Sequence, residues 1–294
     1  MITPGPSQLR RSLRKLKILL KNKPLSVERR GQELVGYVGH RKLHGHVHFT
    51  EMQFGRFSVS VAEPDNLRCS GMILYLHGGG YCCGGQEYAK GFGAVLANET
   101  GAKVLCPVYP LAPEHRFPAA LEDMLELYGL LCESCDVKKL ALAGESAGGG
   151  LIYALCIAAK ERGLPLPGGI AVISPWTDLT FSGESVLKNR EADPSLSLER
   201  LQFFAAAYTD TPNDPLASPL FGDLSGLPES RIFAGGDEIL LDDSRRLHEK
   251  LLSQGAKSRL TVAPDMWHGY LLYGMEETRQ DMDDLCRFLT EVTR

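Results

Sequence analysis

ALAGESAGGG, residues 141–150, is the stretch whose reading decides the fold. An apolar run, Leu140 to Ala143, breaks into Gly144-Glu145-Ser146-Ala147-Gly148 and passes into Leu151 to Lys160, which reads as a helix. The succession is strand, sharp turn, helix. In a GxSxG turn the flanking glycines let the backbone bend tightly and lift the serine hydroxyl clear of a sheet at a helix N-terminus. Ser146 is therefore the candidate nucleophile. A pentapeptide with three fixed positions recurs by chance, and a small-residue turn packing helix on strand would read the same, so the rest of the chain has to decide.

At 294 residues the chain exceeds one usual domain, yet α/β folds of this length often form one core with an insertion. One catalytic domain with a small lid is expected. A hydrophobic content of 44% and a charged content of 23% are those of an ordinary soluble globule and exclude a disordered chain. The longest apolar runs, such as Leu151 to Ala159, fall short of the ~18 residues that cross a bilayer, and no signal peptide is visible. The eight cysteines are scattered, several within apolar patterns, and read as small buried hydrophobes in a reducing, cytoplasmic compartment. Cys132 and Cys135 form a CxxC, but with no second pair and no strand before it a metal or redox role is not expected.

The net charge of −4 is unevenly spread: residues 1–30 carry nine Lys or Arg and one acid, Glu28, so that segment is +8 and the remainder −12. Leu9, Leu13, Leu16 and Leu20 fall on one face of a helix in the same segment. Arg10, Arg11, Arg14, Lys15 and Lys17 could touch an anionic membrane surface, making residues 7–20 a peripheral contact. The segment could instead be a transit peptide, or a helix that covers the protein with its leucine face. The covering helix is preferred. With no aromatic residues interleaved, the basic charge does not argue for nucleic acid.

Lys21, Asn22, Lys23 and Pro24 end that helix, and Val27 to Leu34 reads as a second, short one. In GHRKLHGHVH, residues 39–48, His46 and His48 would share one face of a strand; with no third ligand evident, a strand entering the sheet is expected rather than a metal site. Val47 to Phe54 and Phe57 to Val61 form a hairpin about Gly55. Met72 to His77 and Lys103 to Tyr109 are continuous apolar strands, as in a sheet covered on both faces. Helix 119–131, strand 140–143, helix 151–162, strand 170–173, strand 231–234, helix 244–254, strand 259–263 and helix 279–292 follow, and that alternation means parallel β-α-β units. From Trp176 to about Asp214 there is no strand signal; Ser197 caps a helix, Leu198 to Tyr208, with Leu201, Phe204, Ala205 and Tyr208 on one face. An insertion there lies over the end of an α/β sheet where ligands bind.

A nucleophilic serine needs a base, an acid to orient the base, and donors for the oxyanion. His77-Gly78-Gly79-Gly80 leaves an apolar strand, and its free N–H groups, Gly78 and Gly79, with that of Ala147, are the candidate oxyanion hole. His268 follows the last strand in a loop, 265–269, and is the candidate base. The preceding strand releases Gly235-Gly236-Asp237-Glu238, two adjacent carboxylates of which one can face the histidine.

HGGG at 77–80, YPLAPEHRFPAAL at 109–121, GESAGGG at 144–150, SPWTDL at 174–179, DPLASPL at 214–220 and WHGY at 267–270 resemble, in order, the hormone-sensitive lipase-like esterases of the α/β-hydrolase superfamily. The resemblance runs from about Met72 to the C-terminus. It implies an eight-stranded, mostly parallel α/β-hydrolase sheet flanked by helices, and hydrolysis of a carboxylic ester without a cofactor or metal. It also implies a helical cap from residues 1–46 and an insertion at 176–212, with the catalytic core at 47–175 and 213–294. Two departures stand out. Glu145 replaces the aspartate usual in GDSAG, and the DxLxD acid motif reads Glu238-Ile239-Leu240-Leu241-Asp242, which makes Glu238 the preferred acid and Asp237 the alternative. Tyr81, Trp176, Phe203, Phe204, Tyr208, Trp267 and Tyr270 are candidates to line a pocket for short to medium acyl esters. Lactone, amide or carbamate hydrolysis stays open. A ligand receptor such as the plant gibberellin receptors, which resemble these esterases but lack the histidine, is disfavoured by His268. Homodimerisation through the edge strand at 259–263 is plausible.

Overall fold

The computed structural model describes residues 5–21 and 23–294. One sheet holds eight strands: β1 (Val47–Phe54), β2 (Phe57–Pro64), β3 (Met72–Leu76), β4 (Lys103–Cys106), β5 (Leu140–Glu145), β6 (Gly169–Ile173), β7 (Ser230–Gly235) and β8 (Ser258–Ala263). Their order is β1-β2-β4-β3-β5-β6-β7-β8. The β1–β2 hairpin turns at Gly55, φ +54°, and β2 joins β4 antiparallel; every later pairing is parallel. The expected eight-stranded, mostly parallel sheet is what the chain forms.

The continuous apolar strands are explained by two cores, one on each face. In β3, Leu74 and Leu76 face one layer and Ile73 and Tyr75 the other; β5 divides Leu140 and Leu142 from Ala141 and Ala143 in the same way. The first layer is closed by α4 (Ala119–Ser134), α5 (Ala147–Glu161) and α8 (Leu241–Ser253), through residues such as Leu125, Leu155 and Leu251. The second is closed by α3 (Gln86–Thr100) and α9 (Arg279–Thr293), through Leu96 and Leu289. Each such leucine contributes about 1.5–3 kcal/mol by leaving water.

Two helical segments differ from the sequence expectation, for one reason. The helix α3 was not anticipated, and α2 runs Leu25–Arg41, past the expected end at Leu34. Both contain glycines that serve close approach. A Cβ on Gly36 would stand 2.1 Å from Glu87 O, and one on Gly91 would stand 2.8 Å from Gly36 Cα, so the two helices cross backbone to backbone. The longer α2 also removes the early part of the histidine stretch from the sheet. His40 lies on the helix and pairs with Glu87 at 2.6 Å; the strand starts at Val47, and His48 pairs with Asp65 at 2.8 Å.

The basic segment forms α1 (Pro6–Leu20); Asn22, expected at its end, lies outside the described residues. Leu9 and Leu13 pack on the second layer, while Leu16, expected on the same covering face, is 48% exposed. After β6 the chain forms α6 (Ser185–Lys188) and α7 (Leu198–Tyr208). Ser197 Oγ caps α7 by accepting the Arg200 N–H, and Leu201, Phe204, Ala205 and Tyr208 are its buried residues. Because β5 to β8 are parallel neighbours, the residues that follow each of them emerge at one edge of the sheet.

Candidate active site

Ser146 follows β5 and precedes α5 with φ 53° and ψ −122°, a backbone state that costs a non-glycine residue of order 1–3 kcal/mol. The turn is held from both sides: Ser146 N–H donates to Ile173 O at 3.0 Å, and its carbonyl accepts the Trp176 N–H at 2.9 Å. Its glycines are required by space. A Cβ on Gly148 would lie 2.0 Å from Leu76 O, and one on Gly144 would lie 2.7 Å from the same oxygen. The partly exposed Ser146 thus sits at the head of a helix buried from Ala147 to Ala159, where free N–H groups favour negative charge.

The loops after β7 and β8 bring the candidate acid and the candidate base together. Glu238, 0% exposed, places Oε2 3.7 Å from His268 Nδ1. That exceeds a hydrogen bond, and among the described residues Nδ1 has no partner; such contacts are often long before substrate binds. Asp237 turns away and pairs with Arg10 at 2.7 Å. The geometry therefore separates the two adjacent carboxylates that the sequence left open. Burial lowers the His268 pKa to about 4, which keeps the imidazole neutral and able to accept a proton. Burial also raises the Glu238 carboxyl well above its usual range, opposed by a hydrogen bond from Ser174.

Ser174, the first residue of SPWTDL, was not singled out from the sequence as a site residue. Its backbone is left-handed, φ 49°, just after β6, between the serine strand and the acid strand. The buried hydroxyl donates to Glu238 Oε2 at 2.5 Å and accepts the Gly269 N–H at 3.0 Å, tying Glu238 to the loop of His268. Ser174→Ala leaves a buried carboxylate short of one partner, a loss of about 1–3 kcal/mol. A fall in kcat of roughly ten- to a hundredfold with little change in KM is expected in steady-state assays; an unchanged kcat would show that the bridge does not position the acid.

The glycine loop differs from expectation at one residue. Gly78 N–H donates to Glu145 Oε1 at 2.6 Å, so it is not a free oxyanion donor. Among the described residues no hydrogen bond engages the N–H of Gly79 or of Ala147. The loop is pinned around them: Tyr109 Oη donates to His77 O at 2.6 Å, and His77 Nδ1 donates to Gly78 O at 2.7 Å. Since the peptide is planar and trans, a carbonyl drawn toward His77 turns the Gly79 N–H the opposite way. His77 stacks on Tyr109 at 4.3 Å and burial lowers its pKa to about 4, so it stays neutral. Glu145 also accepts from Tyr75 Oη at 2.5 Å; burial raises its pKa to about 7, against hydrogen bonds that pull it back. A Cβ on Gly78 would lie 3.1 Å from Ser146 Cβ, which measures how closely the loop meets the nucleophile.

A family model described as the α/β-hydrolase fold matches residues 73–272. The crystal structure of an esterase from the bacterial hormone-sensitive lipase family superposes with a TM-score of 0.90 at 31% identity, covering 100% of both chains. The chain belongs to the hormone-sensitive lipase-like esterases. An esterase of Acinetobacter venetianus is 35% identical over 227 residues, 75% of each chain. An acetyl-hydrolase of Streptomyces hygroscopicus is 37% identical over 227 residues, 75% of this chain and 76% of the other.

In this esterase the aromatic residues expected to line a pocket are mostly packing. Tyr81 stacks on Tyr208 with ring centroids 3.9 Å apart, and Trp176 is 0% exposed beside them. Trp267 and Tyr270 are equally buried in the second core layer, with Arg10 lying 5.4 Å over the indole. Phe203 is 45% exposed, and Phe204 covers Gly80, where a Cβ would meet its ring at 2.4 Å. The esterase also clamps its acid loop from the insertion. Asn189 Nδ2 donates to the carbonyls of Gly236 and Glu238, and the buried Asp193 carboxylate accepts the N–H groups of Ile239, Ser195 and Leu196. The sequence signal for these was weak, since short polar residues in a loop usually serve only their own turns.

Proposed function

We propose that this carboxylic ester hydrolase acts on short- to medium-chain esters through an acyl-enzyme on Ser146. The observation that carries the reading is the strained turn at Ser146, set against a pinned glycine loop whose Gly79 N–H faces no partner. In the proposed cycle Ser146 Oγ attacks the acyl carbon while His268 Nε2 takes its proton. The oxyanion is met by the N–H groups of Gly79 and Ala147, and His268 returns the proton to the departing alcohol. Water then repeats the sequence on the acyl carbon and frees the acid. Glu238 orients the imidazole and balances its charge; Gly78 serves as the anchor of the loop rather than as a donor.

Residues 1–46 and 176–212 are read as the cap over this core. Phe204 against Gly80 favours small acyl groups, as does the acetyl group in the name of the Streptomyces relative. The test is a panel of p-nitrophenyl esters from acetyl to palmitoyl, with phenylmethylsulfonyl fluoride as the serine probe. A kcat/KM that peaks by butyrate or hexanoate and drops about tenfold or more by palmitate supports the reading; insensitivity to the probe removes the serine mechanism. The pH profile gives a second check. Only neutral His268 is a base, and burial lowers its folded pKa to about 4, so protonation of the imidazole should place its acid limb below the ordinary histidine value. An acid limb at or above the ordinary histidine value of ~6.5 would contradict it. The unpaired edge of β8 supports a homodimer, which a mass measurement in solution would reveal.

A further inference from the structure

The two N-terminal helices present a surface that the chemistry of the site does not use. On α1, Arg10 and Lys17 turn inward: Arg10 bonds Asp237 and the carbonyls of Ala192 and Asp265, and Lys17 donates to Asp193 O. Leu9 and Leu13 also face the core. Helical spacing then sets Arg11, Arg14, Lys15 and Ile18 away from the core; all are exposed, Ile18 to 74%, and Arg14 and Ile18 also border a cleft with Glu191 and Glu199 of the insertion. On α2, burial of Gly36 against α3 turns Leu34 and Val38 outward, 63% and 47% exposed, with Arg30 one turn before Leu34 and Arg41 one turn after Val38. Both helices therefore show the same pattern, aliphatic side chains flanked by lysine and arginine.

Seven of the thirteen large apolar side chains exposed among the described residues lie on these two helices. The charge is concentrated there as well, since residues 1–30 are +8 in a chain of net −4. The ion pairs within that segment use Arg10, Arg29 and Glu28, which leaves Arg11, Arg14, Lys15, Lys21, Lys23 and Arg30 exposed. A second copy meeting this face through a two-fold axis would set those cations against themselves. A surface with negative headgroups over an apolar interior satisfies both features at once.

We propose that the outward faces of α1 and α2 dock the esterase on an anionic phospholipid bilayer. The helices lie on the surface, with Ile18, Leu34 and Val38 below the headgroups and the cations among the phosphates.

The experiment is cosedimentation of the full chain with phosphatidylglycerol–phosphatidylcholine vesicles and with pure phosphatidylcholine vesicles, at low and high salt. Binding to the mixed vesicles alone, weakened by salt, is expected. A triple variant, Arg11→Glu with Arg14→Glu and Lys15→Glu, should lose at least about tenfold in partitioning. A double variant, Ile18→Ser with Leu34→Ser, should lose binding too. Both should keep p-nitrophenyl acetate hydrolysis, which reports an intact fold. Absence of vesicle binding, equal binding to the neutral vesicles, or full binding by the triple variant overturns the proposal. So does a dimer that the double variant converts to a monomer without any vesicle binding, since the face would then belong to a second copy.

Discussion

Ser146→Ala is expected to lower p-nitrophenyl acetate hydrolysis by about 10⁵- to 10⁶-fold, the scale on which removal of a serine nucleophile acts. The loss should fall on kcat, because Gly79, Ala147 and the cap are untouched and substrate still binds. Alanine meets the same backbone constraint at φ 53° as serine, so the folded state should persist, which a urea unfolding midpoint checks. Residual turnover within about a hundredfold of the parent enzyme would mean that another group carries the acyl chain.

The second large effect concerns the adjacent carboxylates. Glu238→Gln keeps the shape and leaves an oxygen for Ser174, but removes the charge that balances an imidazolium and allows the wrong tautomer. Such an amide exchange can cost about 10⁴ in kcat. Asp237→Asn breaks only a partly exposed pair with Arg10, an interaction of about 1 kcal/mol or less, and should change kcat by less than about tenfold. Measured side by side at pH 8, the two substitutions separate the roles; a larger loss at Asp237 would transfer the acid's place to it.

The sheet was legible because its signal is local. Continuous apolar runs such as Leu140 to Ala143 have no other home than a strand covered twice, and the GESAG turn announces its own bend. The helices α2 and α3 were less legible because the glycines at their crossing, Gly36 and Gly91, depend on a partner some 50 residues away that no local pattern shows. The same distance effect hid two positioning groups. Glu145 precedes the nucleophile but reaches back to Gly78, and Ser174 joins loops that follow two other strands. Residue type also misled at Tyr81, Trp176 and Tyr208, because an aromatic ring suits a ligand wall and a packed core equally well.

Arg10 gives the N-terminal helix an unusual leverage. One guanidinium fastens it to Asp237, to Asp265 and to Ala192, at once the neighbour of Glu238, the loop of His268 and the insertion. Any movement of the helix away from the core must release all of these together, beside the loops that carry Glu238 and His268. Ionic strength, the seating of the first helix and the placement of the loops that carry Glu238 and His268 are therefore not independent variables, and a redesign that loosens this helix will have to supply a new fastening for the loop of Glu238.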